Sequence, residues 1–167
     1  MVRGILSGLV CAVCLSGCAS YRALMGKPNP ALITIVPGSM ASSLTQSCPK
    51  TAAKAYDSAF TPTPDQVGKL EKRWMECLSS PDIKPIDSYL RQYTGLQRKD
   101  TKTIYLNAVL QPEPIDEDDE VKPKPLAACD GDWMNFTVEY DVEADGFLPV
   151  KFNGPEFTPA TNTCPVE

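Results

Sequence analysis

The chain contains no histidine among its 167 residues. That absence excludes Ser-His-Asp and Cys-His nucleophilic arrangements, together with every metal site built on imidazole. Positive charge is also scarce: 16 Lys and Arg stand against 21 Asp and Glu, a formal net charge of −5, with no basic stripe. Nucleic acid and anionic headgroups both require such a stripe, so no nucleic-acid partner is expected. The apolar run Ile5 to Leu15 is eleven residues, about 16 Å as a helix, and is too short to cross a hydrocarbon core of roughly 30 Å. Beyond Cys11, Cys14 and Cys18 at the N-terminus, cysteine spacing of the metal-binding kind is missing too. Cys48, Cys77, Cys129 and Cys164 lie far outside the two-to-four-residue spacing of zinc ligands. No metal and no cofactor are expected.

What the chain does have begins at its N-terminus. Arg3, the short apolar stretch and the small residues Ser16 and Gly17 meet the requirements of a secretory signal, the small pair giving a peptidase access to the bond before Cys18. Leu15-Ser16-Gly17-Cys18 resembles the lipobox of a bacterial lipoprotein signal peptide. The resemblance implies removal of residues 1–17, a diacylglycerol thioether on Cys18 and an acyl chain such as palmitate on its amine. Each buried methylene adds about 0.8 kcal/mol of membrane affinity, and these chains together exceed the two-signal threshold for stable anchoring. Ala19 stands where an Asp tends to retain such proteins in the inner membrane, so an outer-membrane anchor with the protein facing the periplasm is expected. Loss of residues 1–17 removes Arg3 and no acid, leaving 15 basic and 21 acidic residues and a formal charge of −6. The membrane partner is therefore reached through lipid, not charge. The expected division is 1–17 signal peptide, 18–47 acylated cysteine and flexible tether, and 48–167 a single disulfide-stabilised domain, with 16 prolines favouring long irregular connections.

Cys11 and Cys14 fall in the signal and Cys18 carries lipid, which leaves Cys48, Cys77, Cys129 and Cys164, an even set in an exported protein. Two disulfides are expected. Pro49 at a first helical position, with Ala52, Ala53, Tyr56 and Phe60 forming an apolar face, predicts a helix over about 49–59 that Thr61-Pro62-Thr63-Pro64 breaks. A second helix, capped by Thr63 and running to about Leu78, places Val67, Leu70, Trp74, Cys77 and Leu78 at three- and four-residue spacing. An antiparallel hairpin of the two brings Cys48 to Cys77 and leaves Cys129 for Cys164. Closing that loop of roughly 30 residues stabilises by about 3 to 4 kcal/mol on the chain-entropy model.

The second half alternates. A short helix over Pro85 to Tyr93, with Ile86, Tyr89, Leu90 and Tyr93 on one face, is expected to end at Gly95 in the left-handed conformation. Thr101 to Leu110 carries Ile104, Leu106, Ala108 and Leu110 at period two, and Trp133 to Val142 carries Met134, Phe136, Val138, Tyr140 and Val142 likewise. Phe147 to Asn153 follows the same rule, joined by a turn at Ala144-Asp145-Gly146 in which Gly146 supplies positive φ. The expected class is α+β: an N-terminal helical hairpin plus a short helix packed on a three-stranded antiparallel meander, with two disulfides. The acidic, Pro-flanked segment 112–125 reads as a long solvated loop.

Tyr89-Leu90-Arg91-Gln92-Tyr93-Thr94-Gly95, Ile104-Tyr105-Leu106-Asn107, Cys129-Asp130-Gly131, Val138-Glu139-Tyr140-Asp141 and Phe152-Asn153-Gly154 form a spaced pattern over about 70 residues. It resembles small exported proteins of bacteria. The resemblance implies a shared helix-plus-meander unit and carries over no functional residue.

Three constellations invite chemistry. Asp141-x-Glu143-x-Asp145-Gly146 has the opening of a calcium loop, yet position twelve falls on Phe152 where a bidentate Glu is required, so a hairpin turn is the better reading. The acidic run Asp116 to Glu120 reads as a solvated loop. The pairs Asp130/Asp132 and Glu139/Asp141 could flank a glycosidic bond, but any acidic sheet offers such pairs. The face opposite the apolar one is more distinctive: Tyr105, Asn107, Trp133, Asn135, Thr137, Glu139, Lys151 and Asn153 are expected to point outward together. Aromatic bodies among amides and hydroxyls make a recognition patch. The expected function is a lipid-anchored, periplasm-facing envelope protein, not an enzyme, acting as a binding or assembly module toward an envelope protein partner. Two alternatives share the same features: an immunity or inhibitor lipoprotein against a toxin or lytic enzyme, and a small cell-wall-directed enzyme.

Overall fold

Helix and strand periodicities compete in residues 85–98, and the outcome there sets the architecture. The structure is a computed structural model that describes residues 29–78, 83–111, 125–126, 129 and 135–153. Tyr89–Arg98 is a ten-residue strand, preceded by a single 3-10 turn over Ile86–Ser88. In chain order the strands are β1 (Ile33–Ile35), β2 (Ser58–Phe60), β3 (Tyr89–Arg98), β4 (Thr101–Leu110), β5 (Asn135–Asp141), β6 (Gly146–Phe147) and β7 (Lys151–Phe152). The helices are α1 (Ala41–Thr45) and α2 (Pro64–Cys77). All seven strands join one mixed sheet. Strand β3 pairs with β4 along its whole length, and its other edge is shared by β1, parallel on Arg91 to Tyr93, and β2, antiparallel on Gly95 to Gln97. Strand β5 lines the far side of β4 and carries β6 and β7 on its outer edge.

The α+β expectation is therefore overturned: the fold is mostly β with two short helices. The predicted helix over 85–93 fails because Ile86, Tyr89, Leu90 and Tyr93 fit a helical face while the segment is buried on both sides, as a central strand is. Such strands lose the alternation that would mark them. Gly95 adopts no positive φ. It faces Phe60 across β2 and β3, and a Cβ there would lie 2.4 Å from the Phe60 ring, so glycine is needed for close approach and not for a helix end. The predicted helix over 49–59 is also absent; Thr51 to Tyr56 runs as irregular chain into β2. Without it there is no hairpin, and Cys48 bonds Cys129 instead of Cys77, across 81 residues. Cys77 is disulfide-bonded as well. Neither expected pairing, Cys48 with Cys77 or Cys129 with Cys164, survives. Residues 33–45, assigned to the tether, enter the fold as β1 and α1.

The second helix stands where its local signals put it. Thr63 accepts from the Gln66 amide at 3.2 Å while the Gln66 side chain accepts from the Thr63 amide at 2.9 Å, a reciprocal capping box ahead of Pro64. Its apolar stripe of Val67, Leu70, Trp74 and Cys77 packs on the sheet face that presents Tyr89, Tyr93, Ile104, Leu106, Phe136 and Val138. Trp74 lies 5.9 Å from Tyr89 and 5.3 Å from Phe136, ring centre to ring centre. At the β5–β6 turn it is Asp145, not Gly146, that takes positive φ.

The other sheet face is covered too. Val36, Ala41, Leu44 and Ala53 pack there against Leu96 and Tyr105, forming a second, smaller core. The sheet is thus the middle of three layers, with α2 on one side and α1 plus the irregular segment 48–57 on the other.

Candidate functional site

The residues expected to form an open recognition patch are on the second face, as their period requires, but they are not open. Tyr105, Asn107, Asn135, Thr137, Glu139 and Asn153 are buried, and Lys151 is half-buried. Trp133 lies outside the described residues, as do Cys18, Cys164, Asp130 and Asp132 and the acidic run 116–120. What these side chains recognise is the protein's own chain. Tyr105 and Thr137 both donate to the Thr51 carbonyl at 3.2 Å, and Lys151 donates to the Ala52 carbonyl at 3.0 Å. Arg98 donates to the carbonyls of Lys54 at 3.1 Å and Ala55 at 3.0 Å. Segment 48–57 is a strap whose backbone acceptors are satisfied by sheet side chains in place of helical amides.

Both ends of the strap are tied. Cys48 is bonded to Cys129 at one end, and at the other the Asp57 amide donates to the Gln97 carbonyl at 2.8 Å. The Asp57 carboxylate in turn accepts from the Lys99 amide at 2.6 Å, in the β3–β4 turn where Lys99 has positive φ. Asn107 and Gln92 clamp the peptide of Leu126, Asn107 donating to its carbonyl at 3.0 Å and Gln92 accepting from its amide at 2.8 Å.

Beside the strap the sheet leaves a cavity of about 340 Å³. Its floor is Thr103, Tyr105, Thr137 and Glu139; Leu148 and Pro149 add apolar wall. Lys54, Thr101, Arg98 and Lys151 complete it, Lys54 and Thr101 at the exposed rim. Arg98 grips Glu139 in a two-pronged pair, Nη1 to Oε2 at 2.7 Å and Nη2 to Oε1 at 3.1 Å, and Thr103 donates to Oε2 at 2.9 Å. Both Glu139 oxygens are occupied. Burial, above all, pushes the Tyr105 phenol up to about 12.

Of the pair Glu139 and Asp141, Glu139 is held by Arg98 and Thr103, and Asp141 accepts from the amides of Glu143 and Ala144 at 2.9 and 3.0 Å. The same bonds take Asp141 out of a calcium loop, while Asp145 pairs with Lys69 at 3.3 Å and Arg73 at 3.4 Å. Among the described residues no group of three or more Cys, Asp or Glu is placed to hold a metal. Sequence reading reached Tyr105, Thr137, Glu139 and Lys151 in this site and missed Lys54, Arg98, Thr103, Leu148 and Pro149. Arg98 was the recoverable one: Lys99-Asp100 is a polar two-residue break before a strong strand, and a hairpin there sets Arg98 opposite Thr101.

A second buried ion pair was also missed. Glu71 sits four residues after Val67, inside the apolar stripe of α2, and accepts from Arg91 Nε at 2.8 Å and from the Tyr93 hydroxyl. Arg91 further donates to the carbonyls of Ile86 at 2.6 Å and Tyr89 at 2.9 Å. Burial raises the Glu71 carboxyl above its usual range despite the opposing guanidinium. The pair fastens α2 to β3.

Set against protein-family models, curated proteins and solved structures, the chain matches none.

Proposed function

We propose that the protein is a lipid-anchored envelope protein, held on the outer membrane through Cys18 and facing the periplasm, that works by binding and not by catalysis. The anchor rests on Leu15-Ser16-Gly17-Cys18 behind Arg3. The Cys48–Cys129 disulfide supports an oxidising compartment. The observation that carries the binding reading is the cavity beside the strap. It has the size of a small-ligand site, and its carboxylate and hydroxyl groups are engaged by the fold: Glu139 by Arg98 and Thr103, Tyr105 and Thr137 by the Thr51 carbonyl. A general acid or base needs a proton position facing substrate, and these groups have theirs occupied by the fold. The cavity, and not a flat sheet face, is the surface on which an envelope component docks.

Fractionation tests the anchor. Cys18→Ser is expected to move the protein from the detergent phase to the aqueous phase and to lower its mass by the acyl groups; an unchanged mass and an unchanged membrane fraction overturn it. For binding, chemical crosslinking in intact envelopes from a photoreactive group at Thr101 on the cavity rim is expected to capture a discrete adduct that the same group at exposed Lys72 on α2 does not. Identical adducts from both positions overturn the cavity as the docking site, and an adduct with a secreted toxin or lytic enzyme selects the inhibitor alternative.

A further inference from the structure

The charge balance of the cavity identifies what it takes. Arg98 and Glu139 neutralise each other, so the two remaining ionised side chains in the lining are Lys54 and Lys151. Neither pairs with a carboxylate among the described residues. Among the described residues the Lys151 ammonium makes one bond, to the Ala52 carbonyl, leaving two of its three protons without an acceptor there, and the Lys54 ammonium at the rim makes none. An excess of two positive charges around one cavity is notable in a chain of formal net charge −5. Leu148, Pro149 and Tyr105 supply apolar surface to the same lining.

We propose that this cavity binds a small organic carboxylate, its anionic end at Lys54 and Lys151 and its apolar body against Tyr105, Leu148 and Pro149. The proposal rests on the reading of the cavity as a binding site and specifies its ligand. A volume of about 340 Å³ corresponds to roughly ten water molecules, enough for a body about the size of a phenyl ring with a short chain. A singly charged head fits better than a phosphate. The guanidinium that would grip phosphate in two-pronged fashion is already held by Glu139, and a doubly charged group would face the Glu139 carboxylate in the same lining. The two lysines act as point charges and need no fixed fork.

The test uses the full chain in phosphatidylcholine nanodiscs, with the Leu and Val methyl groups labelled for NMR, titrated with 3-phenylpropionate, 3-phenylpropanol, 3-phenylpropylamine and inorganic phosphate, and with empty nanodiscs as the blank. Saturable shifts at the Leu148 methyls with 3-phenylpropionate are expected, with the alcohol at least tenfold weaker and the amine weaker still. Lys54→Gln should weaken the carboxylate about tenfold while leaving the thermal midpoint near that of the parent, Lys151→Gln should weaken it comparably, and Leu148→Trp should abolish binding by filling the cavity. If the alcohol binds as well as the carboxylate, the cavity is a binding site but the assigned ligand charge is wrong. If inorganic phosphate alone shifts these methyls, the ligand class is wrong. If none of the probes shifts them at millimolar concentration, the binding-site reading and this proposal fall together.

Discussion

Arg91 on β3 and Glu71 on α2 meet at 2.8 Å with both side chains out of contact with solvent. Charged groups withdrawn from water are stable only when each finds a partner, and here one contact fixes the register of the helix over the sheet. Glu71→Ala strips the buried guanidinium of its close carboxylate and leaves it only Asp87, at 4.0 Å, so it should cost about 3 kcal/mol. Arg91→Ala should cost as much, whereas the double replacement by Leu at 71 and Met at 91 should recover most of the loss. Denaturant titration of the three variants checks this, and a double variant no better than either single would refute the pairing.

The same carboxyl sets a pH dependence. Glu71 ionises at about 4.5 in the unfolded chain and at higher pH in the folded one, chiefly because burial penalises its charge. The folded state therefore holds this proton more tightly. The contribution to stability is complete below 4.5 and is lost as the pH rises through the folded value. Melting curves taken stepwise upward from pH 4.5 should show that decline in the parent and a flatter profile in Glu71→Gln.

The Cys48–Cys129 bond closes a loop spanning 81 residues, for which the chain-entropy model gives about 4 to 5 kcal/mol. Non-reducing peptide mapping should recover Cys48 linked to Cys129 and Cys77 in a separate disulfide peptide. Replacing Cys48 and Cys129 together by Ser should lower the denaturation midpoint accordingly. A Cys48–Cys77 peptide as the main product would restore the helical hairpin.

Arg98 is the tie between the strap and the sheet. Arg98→Ala removes the donors to the Lys54 and Ala55 carbonyls and strips Glu139 of its partner, at a cost of about 2 to 3 kcal/mol. Hydrogen exchange should localise the damage. The Asp57 amide, bonded to the Gln97 carbonyl, should lose protection, while the Leu106 amide at the centre of the sheet keeps it.

Two glycines should respond oppositely to alanine. A Cβ at Gly38 would lie 2.8 Å from the Phe60 Cα and 2.9 Å from the Ala59 carbonyl carbon, and backbone cannot swing aside, so Gly38→Ala should cost about 1 to 3 kcal/mol. Gly68 is exposed on α2 with nothing within 4 Å of such a Cβ. Gly68→Ala should stabilise by about 0.5 to 1 kcal/mol. Thermal melts of the two variants decide it.

Where a signal is local, residue types alone determined the structure. Thr63, Pro64 and Gln66 start α2 because cap and first-turn bonds are made within four residues, and the stripe from Val67 to Cys77 follows from helical pitch. The alternation in β4 and β5 likewise divided the sheet into two faces, with Ile104, Leu106, Phe136 and Val138 on the one and Tyr105, Thr137 and Glu139 on the other. Tertiary structure decided the rest. Period two says which residues share a face but not what covers it, so Tyr105 and Thr137 read as outward until the Thr51 carbonyl is seen above them. Segment 89–98 carries both periodicities, and only its neighbours on both edges and both faces make it a strand. Pairing of Cys48 with Cys129 depends on a strap with no repeating pattern, held by side chains from strands up to about a hundred residues away in sequence. Contacts of that range leave no mark on local composition, because each partner is chosen by the position of the other.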